Sequence, residues 1–351
     1  MEIEYEIFPD TSAVEEYLER VLPDFEMSSM DFYEDVLKGN WVLEPTLLWE
    51  YIKETVFGDL GDLKTLLISI LMLFILSSVM TSVMEAFRSD GTAKVVRFFF
   101  LLSLMGVLLA AFQRVMTISI EAVSNMLEFM KIALPVYMIT VAAAGAGLTA
   151  MLFYKLLLGV LCLIEGTVVS NLVPIIEAYM MLGILEAIEG EDRFRSLKKL
   201  LKKGILGFMK LMILVVNGSG LIQMIITPVI DKANLAVAQK TAGAIPGIGD
   251  IAQAASGIAV TSAVVIKNSL GVFIMVIMVV ILLIPVMQMF AILATMKVGC
   301  ALGEMCGEKR LVSCTESISD AGFMLLRLLI TVSALFFITV AMLTHIAGGT
   351  M

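Results

Sequence analysis

Seven charged side chains interrupt otherwise apolar stretches of this chain: Lys155, Glu165, Glu177, Lys210, Lys267, Lys297 and Arg327. Ionisable groups at such places are costly in a bilayer and usually face the protein interior or a water-filled cavity. Their chemistry would be ion pairing or a polar pathway, for example Glu165 with Lys267. The plainer reading is that they snorkel to an interface along their aliphatic stems. None forms a catalytic constellation. The only histidine is His345, and metalloprotease, nucleophile-elbow and Walker patterns are absent. Cys300, Cys306 and Cys314 fall in what reads as one loop region, and Cys162 in an apolar run. Their spacing does not suit zinc. The expectation is therefore no enzyme activity, no cofactor, no metal and no nucleic-acid partner.

The elements that must position these charges are membrane spans. Leu63–Met84, Phe98–Ile120, Ile132–Tyr154, Leu156–Ile176, Gly204–Ile230, Leu270–Met296 and Ala321–Thr344 are all near or above the length of about 20 residues that crosses a bilayer core. They lack the alternation of barrel strands, so an all-α, polytopic membrane protein of seven to nine spans is predicted. Mean hydropathy is +0.97, with 59% hydrophobic and 16% charged residues, below the roughly 25% charge of soluble domains.

Charge is unevenly placed. Residues 1–62 hold 17 acidic and 3 basic side chains, and the remainder holds 16 acidic and 21 basic. The first part reads as an acidic segment of short amphipathic helices, one starting at Ser12 with capping-box spacing to Glu15. Its surface is either simply solvated or a dock for a basic partner. Gly58–Asp62 reads as a hinge into the membrane. A two-span hairpin is expected over 63–130.

Lys/Arg-rich loops stay cytoplasmic. The stretch Arg193, Arg195, Lys198, Lys199, Lys202, Lys203 is one such loop; Arg88, Lys94, Arg97 and Lys309-Arg310 mark two more. With these inside, the N-terminal segment is expected outside, which requires either an upstream leader or a translocated tail and favours the leader.

An internal repeat is visible. Ala133-Leu134-Pro135 matches Ala244-Ile245-Pro246, Lys155 matches Lys267, Pro174 matches Pro285, and Gly207-Phe208-Met209 matches Gly322-Phe323-Met324, at offsets of 111–115 residues. Two parallel copies are predicted, 131–227 and 242–343, within membrane units 131–230 and 231–351. Pro135, Pro246, Gly247, Gly249 and Pro285 are candidate hinge and turn positions. Proline in a span breaks or kinks a helix, and Ala244–Ile251 reads as a turn. Gly145, Gly147, Gly218 and Gly220 would allow close helix packing.

The run Ala244–Ile251, Ala254–Gly257, Lys267-Asn268 and Leu270-Gly271-Val272 resembles the stage III sporulation protein AE family of endospore-forming bacteria. Lys309-Arg310-Leu311-Val312 and Gly322–Thr344 look like it too. The resemblance spans about residues 60–345. It implies a multi-pass protein of the mother-cell membrane facing the forespore. It also implies a place in an assembly with other sporulation membrane proteins and, indirectly, a cytoplasmic ATPase. Family members usually begin with a signal peptide; no basic, then apolar, leader pattern is visible at the start of this sequence, so the expectation is that its true start lies further upstream. The resulting expectation is a core subunit of a transport or channel complex linking mother cell and forespore. A self-sufficient secondary transporter and a structural scaffold are the alternatives. Membrane lipid is a partner in each case.

Overall fold

The computed structural model describes Glu16, Tyr17, Arg20 and residues 60–87, 90–141, 158–189, 193–216 and 249–346, with side chains described over 61–87, 91–139, 158–189, 193–216 and 269–341 as well as at the three N-terminal positions. Every regular element among them is helical: α1 (Leu60–Ala86), α2 (Asp90–Val141), α3 (Leu158–Glu189), α4 (195–216), α5 (Gly249–Glu304) and α6 (Lys309–Ile346). Five of these, all but α4, are long and apolar enough to cross a membrane. The chain is a multi-pass, all-α membrane protein.

Among the described residues the spans are fewer and longer than the apolar runs suggest. Ile132–Tyr154 is not a separate helix as far as it is described: residues 132–141 are the tail of α2. Only residues 204–216 of the run Gly204–Ile230 are described, and they form most of α4. At 52 and 56 residues, α2 and α5 are about 80 Å long, against a bilayer core of about 30 Å. Pro135 and Pro285 lie inside them without interrupting the helix, so neither acts as the break expected of it. Proline is tolerated in such helices because neighbouring groups re-satisfy the freed backbone. Gly249 opens α5 rather than closing a turn, and Leu60–Asp62 open α1 rather than forming a hinge. Pro246 and Gly247 lie outside the described residues.

The helical ladder does change at a third proline. Val168–Leu172 of α3 form a π segment, and the N–H of Val173 donates to the carbonyl of Val168, five residues back. Pro174 follows at once. It has no N–H and its ring crowds the preceding turn, and one inserted residue is a known way of absorbing that.

α1 shows why the bundle assembles. Its inner stripe is Ile70, Phe74, Ser77 and Thr81, all buried, while Ile68, Met72, Ile75 and Val79 on its other sides are exposed. A helix apolar all round is one that meets lipid. The inner stripe seats on Gly299 and Gly303 of α5. A Cβ at Gly303 would fall 2.6 Å from the Phe74 ring, and one at Gly299 would fall 2.9 Å from Ile70. This four-residue glycine spacing lets two backbones approach closely. Gly322 of α6 likewise leaves room for Leu293 of α5. α6 is the central element: its apolar window is 61% buried, against 22% in α1. A Gly303→Leu chain is expected to lose about 1–3 kcal/mol of stability through overpacking, seen as lower membrane abundance and melting temperature. Gly106→Leu, at a site with open space around it, is the control. Equal abundance of the two variants would refute the seam.

α1 and α2 pack against each other, with Arg114 and Asp62 2.9 Å apart. Beyond Arg114, α2 becomes amphipathic. Thr117, Glu121, Ser124 and Lys131 are exposed, while Val115, Ala122, Met126 and Met130 are buried. Part of the acidic N-terminal segment docks there: the Tyr17 hydroxyl donates to the Asn125 carbonyl (2.5 Å), Arg20 pairs with Glu128 (2.5 Å), and the Tyr17 ring sits 5.8 Å from that of Phe129. Burial first, and then the Glu128 charge, raise the Tyr17 phenol above its ordinary pKa. It stays a donor across the physiological range.

The C-terminal ends of α1, α3 and α5 lie near one another. Ser78 donates to the Cys306 carbonyl (3.1 Å) and Arg310 to the Ile188 carbonyl (3.4 Å). Arg97 reaches Glu85 at 3.4 Å and Glu308 at 3.1 Å. The three basic stretches are therefore neighbours, as the charge pattern requires. Lys94 and Arg97 belong to the first turns of α2, not to a loop. Cys300 and Cys314 are also not loop residues. They are buried in α5 and α6, and all four thiols are free.

Candidate functional site

Near the same end, α3, α4, α5 and α6 converge on a polar cluster. α4 begins after the short connection from α3, and its first two turns carry lysines at a four-residue interval. On a helix that spacing puts Lys198 and Lys202 on one face, continuous with the buried stripe Ile205, Met209, Met212 and Val216. Burying that stripe draws both lysines inward.

Lys198 Nζ lies 2.7 Å from Glu186 Oε2 of α3 and 3.1 Å from Ser317 Oγ of α6, and 5.6 Å from the centre of the Tyr179 ring. Side-chain exposure is 16% for Lys198 and 11% for Glu186. Gly183 makes this possible: a Cβ there would run into Ser317 and stand 3.3 Å from Lys198 Nζ. Asp320 of α6 accepts from Lys297 of α5 at 2.8 Å and lies 3.5 Å from Lys202 of α4. Two carboxylates thus hold three ammonium groups across four helices. The second oxygen of Glu186 is buried without a hydrogen-bond partner, as is Ser319 Oγ. A buried acceptor without a donor is costly, so this carboxylate is a place where the network can take up a water or a new hydrogen-bond donor.

Of the five sequence-singled charges whose side chains are described, Lys297 belongs to this cluster. Glu165 and Glu177 are half-buried on α3, and Lys210 and Arg327 are exposed on α4 and α6. None of the four makes an ion pair with another described residue, and exposed Lys210 and Arg327 fit the snorkelling alternative. Lys155 lies outside the described residues. Lys267 is in α5, but its side chain is outside them, so its pairing with Glu165 is not described. Glu186, Lys198, Lys202, Ser317 and Asp320 were not singled out for chemistry. Their signal was present in the short separation between Glu186 and Lys198 across a connection, and in Asp320 standing one residue before the last apolar run.

A second feature lies on the other side of the α3–α4 hairpin. It is a groove of about 550 Å³ bounded by Asn171, Leu172 and Ile175 of α3 and by Leu200, Lys203, Gly204 and Phe208 of α4. By contrast, the void between α2, α5 and α6 at Met130, Leu134, Tyr137, Ile274 and Val340 is lined by apolar residues and the Tyr137 ring, and has no room for water. No group of side chains suited to a metal ion occurs among the described residues.

Comparison with known proteins follows the geometry. Residues 27–347 match the family described as stage III sporulation protein AE. The stage III sporulation protein AE of Bacillus subtilis (strain 168) is 22% identical over 334 residues, covering 94% of this chain and 82% of the relative. No solved structure matches.

Proposed function

Because the chain belongs to the stage III sporulation protein AE family and is thus a sporulation-related membrane protein, we propose that it is the membrane-embedded core subunit of a transport or channel complex linking mother cell and forespore. In this reading it resides in the mother-cell membrane facing the forespore, beside other membrane proteins of the complex, and responds indirectly to a cytoplasmic ATPase. It binds membrane lipid and no nucleic acid, and carries no cofactor and no catalytic residues.

The observation that carries the reading is the four-helix charge cluster. It ties the hairpin α3–α4 to the hairpin α5–α6, the described parts of the two repeat copies read from sequence. Each hairpin turns at the same end, α3 and α5 carry the matched Pro174 and Pro285, and α4 and α6 carry the matched Gly-Phe-Met triplets. Both features support a parallel repeat. Two hairpins joined by exchangeable ion pairs, close to loops that a partner can reach, suit a subunit whose halves shift when the complex assembles.

Affinity capture of the full chain from sporulating cells, with mass spectrometry, is expected to recover other sporulation-complex membrane proteins. Recovery of none, or solute uptake by the purified chain alone in liposomes, would count against the proposal. Sidedness is tested separately. In a cysteine-free background, cysteine at exposed Arg193 is expected to resist a membrane-impermeant thiol reagent in intact cells and to react after lysis. Reaction in intact cells would reverse the orientation drawn from the positive-inside rule.

A further inference from the structure

The basic stretch at the start of α4 does not spend all its charge inside the protein. Lys198 and Lys202 pair with Glu186 and Asp320, and Arg193 lies 3.8 Å from Glu189. Lys199 and Lys203 are different. Both are exposed, and neither has an ion-pair partner among the described residues. One helical turn apart, they share a face, and Lys203 stands at the rim of the α3–α4 groove. The rest of that groove is almost wholly apolar. Its one other polar wall is Asn171, carried outward in the π segment of α3. Gly204 opens the floor, since nothing lies within 4 Å of where its Cβ would be. Leu200 and Phe208 flank it and are 66% and 38% exposed.

We propose that this groove holds an anionic phospholipid, with its phosphate between Lys199 and Lys203 and one acyl chain along Gly204, Phe208 and Ile175. The charge and the apolar slot each select for half of that ligand. Two unpaired ammonium groups ask for an anion, and Asn171 can donate to a phosphodiester or ester oxygen. The slot beside Lys203 suits a hydrocarbon chain, and it lies on a hairpin whose first helix is long and apolar enough to cross the bilayer. A basic pocket between membrane helices is a recurring headgroup site. The inference rests on the membrane fold and is independent of the proposed complex.

The test uses the full chain purified in detergent, with lipid retention read by native mass spectrometry. The probes are phosphatidylglycerol, phosphatidylcholine and inorganic phosphate. Phosphatidylglycerol is expected to bind about tenfold or more tightly than phosphatidylcholine. Each lysine near a headgroup contributes about a fivefold factor, so K199Q/K203Q should erase the preference while leaving residual binding of both lipids. Lys210→Gln, an exposed lysine outside the groove, should change nothing. Gly204→Leu should weaken both lipids by filling the slot, without loss of monodispersity. Equal binding of the two lipids, an equal loss in Lys210→Gln, or displacement of phosphatidylglycerol by millimolar phosphate would overturn the proposal. So would a change in self-association, instead of lipid retention, on K199Q/K203Q substitution.

Discussion

Lys198→Met is expected to destabilise the protein by about 3 kcal/mol, the lower end for breaking a buried ion pair. The lower end applies because Lys198 and Glu186 keep 16% and 11% of their side-chain exposure. The substitution leaves the Glu186 carboxylate with neither oxygen bonded, since its other oxygen already lacks a partner. It also removes the donor to Ser317. The loss should appear as a lower melting temperature in detergent and as reduced abundance in sporulating cells. The double variant K198M/E186M should recover most of it, because apolar replacement of a whole buried pair is often neutral. A single variant that melts like the parent, or a double variant no better than the single, would remove the network from any account of stability.

The second large effect is expected at Arg97. Its guanidinium reaches Glu308, whose side chain is only 7% exposed, and Glu85 on the neighbouring helix. Arg97→Ala strands the Glu308 carboxylate beside the turn that joins α5 to α6. A loss of about 2–3 kcal/mol follows, moderated because Arg97 itself is one-third exposed. Loosening should be local, between the α1–α2 pair and that turn. Limited proteolysis at the 305–308 connection is therefore expected to speed up before global melting changes much. Arg97→Lys should rescue poorly, because a single ammonium cannot span two carboxylates as the planar fork does. Glu308→Gln on the Arg97→Ala background should restore protease resistance by neutralising the orphan. Unchanged cleavage in Arg97→Ala would refute the joint.

Much of the architecture was legible in composition. Apolar runs identify membrane helices because lipid forces each segment to satisfy its own backbone. The ends of helices were less legible. α2 carries polar residues such as Glu121 and Lys131 on one face and still continues, because its other face packs on α5 and α6; hydropathy reads that change as an interruption. Pro135 and Pro285 suggested breaks for the same local reason. The site was harder still. Attention to charges within apolar runs found Lys297 but passed over Lys198, Lys202 and Asp320. These sit where helices begin or apolar runs start, and there charge ordinarily means solvent. Which lysines turn inward depends on the register of α4 against α6, a tertiary fact set partly by Gly183. The seam of Gly299 and Gly303 was present as a four-residue glycine spacing but lay at the edge of its run, away from the glycines that drew notice.

The uninterrupted length of α2 and α5 has a mechanical consequence. A helix of about 80 Å that stays helical through its one proline behaves as a rod, stiff along its axis. A push on the loops near Arg97 and Glu304 would travel along these rods to the far ends, where α2 carries the docked turn around Tyr17. The π segment of α3 is the compliant joint, because its five-residue hydrogen bond leaves a turn that can rewind by one residue. Load on the bundle therefore divides in two. The rods carry displacement from one end to the other, and α3 absorbs twist beside the groove.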